Sequence, residues 1–93
     1  MSEKDKIQQI LNERLEVSHM VVVDESHLHA GHVQAQKSGG GHFSVFIVST
    51  DFIGMSLISR HRMINQALRE EFQSAIHALS IHAQTPEEYN KSL

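Results

Sequence analysis

The chain has 93 residues, no cysteine, eight histidines and a formal charge of −3. That length supports one domain of four or so packed elements, and the lack of cysteine excludes a disulfide framework and any thiolate ligand. No apolar run approaches a membrane span and the opening MSEKDKIQQI is too polar for a signal peptide, so the expectation is a soluble cytoplasmic protein; the negative balance leaves nucleic-acid binding to a local patch.

From Lys4 to Leu15, apolar residues recur at Ile7, Ile10, Leu11 and Leu15, three and four apart, which predicts an amphipathic helix with Ser2 as N-cap. The β-branched triplet in HMVVVDES predicts a strand. Leu28 to Gly41 has neither period and ends in three glycines, so a flexible loop is expected over about residues 27–42. HFSVFIVST is the clearest strand, with Phe43, Val45 and Ile47 on one face and Phe46 and Val48 on the other, and it should form an antiparallel hairpin with the first. DFIGMS reads as a turn punctuated by Asp51 and Gly54. A helix is then expected from Leu57 to Phe72, burying Leu57, Ile64, Leu68 and Phe72 and leaving Arg60, Arg62, Arg69 and Glu70 largely wet. IHALSIHAQ is a third strand. TPEEYNKSL starts a short C-terminal helix from about residue 85, with Thr85 as cap, Pro86 at the first position and Glu88 closing a capping box. The order α-β-β-α-β-α over residues 1–93 predicts a single α+β domain: a two-layer sandwich with helices on one face of a three-stranded mixed sheet.

The chemistry centres on histidine. Alternation places His77, Leu79 and Ile81 on one face of the third strand, putting His77 at the edge of the core side. It reads either as a partly buried structural histidine or as an imidazole held rigid with one nitrogen outward. His27, His29 and His32 fall close together in the loop, and His42 closes it. Imidazole suits zinc, iron, copper or nickel, yet closing a glycine-flanked loop around an ion is entropically costly. Lending one or two histidines to a partner's metal is easier. SRHRM is the one local cluster of positive charge; Arg60 and Arg62 read as a solvated helix face or as a contact to nucleic acid or an acidic partner. Nucleophile elbows, phosphate loops and carboxylate pairs are missing, so no enzyme activity is expected.

VVVDESHLHAGH, HFSVFIVSTDFIGMSLISRHRMINQALREE and IHALSIHAQTPEEY together resemble the BolA family, over about Met20 to Tyr89. The run F-x-G-x-S-L-x-x-R-H-R-x-I-N, Phe52 to Asn65, and I-H-A-L-S-I, Ile76 to Ile81, carry the resemblance. It implies a class II KH-like fold. It also implies pairing with a monothiol glutaredoxin as a heterodimer, bridged by a 2Fe-2S cluster that the glutaredoxin shares with glutathione. The matching ligands here are His77 and His29, with His32 and His42 next in order, because this loop is longer than the usual pattern and adds His32. Two histidines on one iron would resemble Rieske-type ligation. No cofactor is expected for the isolated protein, which should be a monomer away from membranes. The alternative implied is a KH-like DNA-binding regulator of transcription, touching the backbone through Gly54 of the turn, Arg60 and Arg62.

Overall fold

The computed structural model describes residues 2–26 and 41–93. Along the chain run α1 (Glu3–Arg14), β1 (Val17–Asp24), β2 (Gly41–Ser49), a 3-10 turn at Thr50–Phe52, α2 (Leu57–Ala67), α3 (Arg69–Ser74), β3 (Ile76–Gln84) and α4 (Pro86–Ser92). The strands form one mixed sheet in the order β1-β2-β3, with β1 antiparallel and β3 parallel to β2. A parallel pair needs a crossover, and α2 with α3 supplies it. This is the expected α+β sandwich. The predicted loop falls mainly on residues 27–40, outside the described residues, while Gly41 and His42 already belong to β2.

Period explains the layers. The inward face of β2 is Phe43, Val45 and Ile47; Val22 pairs with Val45 on one side, and Ile81 and Ala83 pair with Val45 and Ile47 on the other. Against them pack Ile7 and Leu11 of α1 and its C-cap Leu15, Ile64 of α2, Leu68 and Phe52. Phe52, fully buried, anchors the turn, and its burial contributes about 1.5–3 kcal/mol. The turn is tied down locally: Asp51 N–H donates to Ser49 Oγ at 3.0 Å, and Asp51 Oδ2 accepts from Glu16 N–H at 2.9 Å. Gly54 follows with φ 82°, a left-handed conformation that an L side chain would resist.

Two expectations about the long helix need correction. It is two helices, bent at Leu68 (φ −102°, ψ 13°), without a glycine or proline to announce the bend. Leu68 itself is fully buried, and the chain turns about it so that Phe72 also packs against the core. The buried stripe, moreover, runs Arg60, Ile64, Leu68, four apart, whereas Leu57 is 63% exposed. The first turn of α2 holds Leu57 beside β3, where it lines a surface hollow with Ile81 and His82.

The C-terminal helix starts as expected: Thr85 Oγ1 accepts from Glu88 N–H at 3.2 Å and Glu88 Oε1 from Thr85 N–H at 2.9 Å, a complete capping box with Pro86 inside it. Its Tyr89 reaches the sheet face opposite the main core, packing on Phe46 (centroids 5.8 Å) and stacking on His19 (5.2 Å, 22° between planes).

Candidate functional site

β2 and β3 run parallel, so their first residues share one end of the sheet. Gly41 pairs with Ile76, but His42 pairs with Ala78, which leaves His77 as the extra residue of a β-bulge. A bulge re-aims the side chain it carries. Ile76 takes the buried position, and His77 is exposed rather than held at the edge of the core side as alternation implied. Its ring comes to 5.2 Å from that of His42, centroid to centroid, with the planes tilted 50°.

The backbone under this pair is firmly bonded. Gly41 N–H donates to Ala75 O at 2.9 Å, His42 O accepts from Glu25 N–H at 2.7 Å, and His42 N–H donates to Ser26 Oγ at 3.1 Å. Ser26 is placed in turn by its own N–H on Asp24 Oδ1 at 2.9 Å. Gly41 has no room for a side chain, since a Cβ there would sit 2.6 Å from Phe43 Cε2 and 2.9 Å from Ser26 Oγ. The D-E-S at the end of β1 therefore buckles the two strands together at His42. Sequence reading saw that motif only as a family mark. The other ligand candidates, His29 and His32, and their neighbour His27 lie outside the described residues.

The second candidate region departs further from expectation. Arg60, expected on the wet face, is 6% exposed. Its Nε donates to Met55 O at 3.1 Å, Nη1 to Ala83 O at 3.1 Å, and Nη1 and Nη2 to Glu88 Oε1 and Oε2 at 2.7 and 3.2 Å. The guanidinium also lies 5.9 Å from the centre of the Phe52 ring. A planar fork with several donors suits two carbonyls and a carboxylate at once, which is why a charged residue can be buried here. The hydrogen bonds from Arg60, and then the Thr85 N–H, hold the Glu88 carboxyl down to a pKa of about 2. Arg60 is thus a structural lock between α2, β3 and α4, and its guanidinium is not a free surface cation. Arg62 and Gly54 are exposed, and around them Ile53, Leu57 and Ile58 are each more than 60% exposed.

Sequence reading missed the cluster of His19, Phe46, His82 and Tyr89, whose neighbouring rings lie 5.2–5.9 Å apart on the far face of the sheet. Its signal was present in the alternation of β2 and β3, which puts Phe46 and His82 on one face.

A small α+β domain that offers paired imidazoles at one end of its sheet is the class these features define. Comparison with known proteins gives the family and the fold. A family model described as BolA-like protein matches residues 11–88, and the chain belongs to the BolA family. It is 41% identical over 85 residues to "Protein BOLA1, chloroplastic" of Arabidopsis thaliana, covering 89% of this chain and 53% of that protein. It is 42% identical over 87 residues to "SufE-like protein 1, chloroplastic/mitochondrial" of the same plant, 89% of this chain but 24% of that protein. The chain therefore spans about half and about a quarter of these two relatives. Over 88 residues it is 33% identical to "DNA-binding transcriptional regulator BolA" of Vibrio cholerae, covering 95% of this chain and 79% of that protein. Among solved structures, the BolA domain of SufE1 from Arabidopsis thaliana superposes with a TM-score of 0.81 at 41% identity, covering 95% and 96% of the two chains. Yeast Fra2 gives 0.65 at 33% identity, covering 98% and 86%. Among the described residues, no helix is long and apolar enough to cross a membrane.

Proposed function

We propose that this chain is a non-catalytic partner of a monothiol glutaredoxin, with which it coordinates a bridging 2Fe-2S cluster as cargo in iron-sulfur trafficking or iron homeostasis. The observation that carries the reading is the exposed His77 on its bulge, with the His42 ring 5.2 Å away. The donor chemistry fits. A chain without cysteine has no thiolate to offer, and two imidazoles can complete the shell of one iron while thiolates from the partner side hold the other. His77 supplies the rigid ligand, fixed by a strand. The second is His29 by family pattern, with His32 and His42 as alternatives, and His42 is the one the described strands bring beside His77.

The test is a visible spectrum. Mixed with a monothiol glutaredoxin, glutathione and an iron-sulfur source, the protein should give a heterodimer whose absorption differs from that of the glutaredoxin homodimer. His77→Ala should abolish that difference while leaving the melting midpoint within about 4 °C, because the side chain is exposed. An unchanged spectrum in His77→Ala would end its role as a ligand. Separate alanine variants at residues 29, 32 and 42 then identify its companion.

A second reading, DNA binding in transcriptional regulation, is favoured by the name of the Vibrio cholerae relative, at 33% identity. With Arg60 locked internally, Arg62 and the Gly54 turn are left as its contacts. Binding to duplex DNA should then be weak, with a salt slope of only about one or two phosphates, and Arg62→Ala should lower it further. Affinity for duplex unaffected by salt and by Arg62→Ala would dismiss this reading.

A further inference from the structure

The two edges of the sheet are treated differently. At the β3 edge, Leu57 and His61 of α2 stand beside residues 81–84 and, with Glu88, line a hollow of about 410 Å³. At the β1 edge no further strand pairs among the described residues, and the strand carries no lysine, arginine or proline. Its one protective irregularity is the bulge between Val17 and His19. From Met20 to Val23 it is wholly apolar, and Val21 and Val23 are 44% and 43% exposed on the sheet face away from the main core. An edge of this composition is a template for another strand.

We propose that β1 is a self-association edge: two copies of this chain pair their β1 strands antiparallel about a two-fold axis at Val22, joining two three-stranded sheets into one of six strands. A two-fold perpendicular to the sheet keeps each face continuous, so opposed residues must share a face. Only registers centred on a residue meet that condition. Centring on Val22 sets Val21 against Val23 of the second copy and Val22 against its counterpart. It also brings Glu25, whose N–H extends the β1–β2 pairing to His42 O, opposite His19 of the second copy, and this happens twice by symmetry. Both residues fall on the outer face, so a carboxylate meets an imidazole at each end of the interface. Centring on Val21 instead sets Val23 against His19 and Glu25 against Val17, so that no carboxylate meets an imidazole. Self-complementarity of apolar centre and polar ends is what selects a second copy over an unrelated extended peptide. The interface is small, so association is weak and belongs to concentrated protein. It departs from the sequence-based expectation of a monomer, which took no account of the edge.

Sedimentation equilibrium of the full chain from about 10 µM to about 1 mM tests it. The average mass should climb toward twice that of the monomer, Val23→Lys should remove the climb, and Glu25→Lys should weaken association several-fold. Because Val23 is partly exposed, that variant should keep its fold, which circular dichroism checks. The absence of native cysteine permits a test of register under oxidising conditions. A mixture of Val21→Cys and Val23→Cys chains should form a mixed disulfide faster than either alone forms its own. Monomer mass throughout the range overturns the proposal, as does a dimer that survives Val23→Lys. Preferential self-linking of Val21→Cys rejects the Val22-centred register.

Discussion

Arg60 with Glu88, and His42 with His77, are both polar pairs, and they sit in opposite circumstances. In the first, the guanidinium is buried and spends its donors on two carbonyls and a carboxylate of the same chain. In the second, the bulge leaves the His77 ring exposed, 5.2 Å from the His42 ring, above a backbone that His42 ties to Glu25 and Ser26. A polar group that satisfies its neighbours within the fold is holding the fold together. A side chain that a bulge turns outward beside a firmly bonded strand is equipped to meet something else. By that contrast the arginine, which sequence composition marks as a surface contact, is the structural residue, and the histidine is the candidate for binding.

The largest effect that would break this comparison lies at the arginine. Arg60→Met keeps an apolar side chain of similar length but removes the guanidinium's hydrogen bonds to Met55 O, Ala83 O and the Glu88 carboxylate, which retains the Thr85 N–H. It should cost about 2–3 kcal/mol, as expected when the hydrogen bonds of a buried charged group are removed. In a chain of this length that lowers the melting midpoint by about 10–20 °C. The cluster spectrum measured at a temperature where the variant is folded should be unchanged. A loss of the spectrum without loss of stability would reverse the two roles.

The fold was legible wherever one element's own period decides its state. Ile7, Leu11 and Leu15 announce α1, alternation announces β2, and Thr85, Pro86 and Glu88 announce α4, all of them local signals. What escaped depended on pairings between distant elements. The 60-64-68 spacing in α2 was visible, but a charged residue is assigned to water unless its partner is known, and Glu88 lies 28 residues away in a capping box with a task of its own. The bend at Leu68 follows from how that side chain meets the core, with no breaker residue in the chain to mark it. The bulge at His77 likewise arises from the register of β3 on β2, to which alternation within β3 alone is blind. Alternation singled out His77 and the family pattern made it a ligand, but its exposure and its approach to His42 come from the sheet.

A smaller effect sharpens the same contrast through pH. The Glu88 carboxyl is lowered from 4.5 to about 2, chiefly by its hydrogen bonds from Arg60, so between those values the unfolded chain binds a proton that the folded chain does not. Stability from this group is fully present above about 4.5 and is lost as the pH falls toward about 2. Glu3 works in the opposite sense: burial, and then the Glu71 carboxyl beside it, raises its pKa, so its contribution grows as the solution is acidified. Comparing the native chain with Glu88→Gln cancels Glu3, since both carry it. Melting midpoints of the two should converge as the pH falls from 5 to 2, the native chain starting higher and losing more. The curve for His77→Ala should run parallel to the native one over that interval, because His77 makes no bond to any carboxylate among the described residues. Parallel curves for Glu88→Gln as well would mean that its carboxylate adds nothing to the Arg60 lock, and that the two carbonyls alone hold the guanidinium in place.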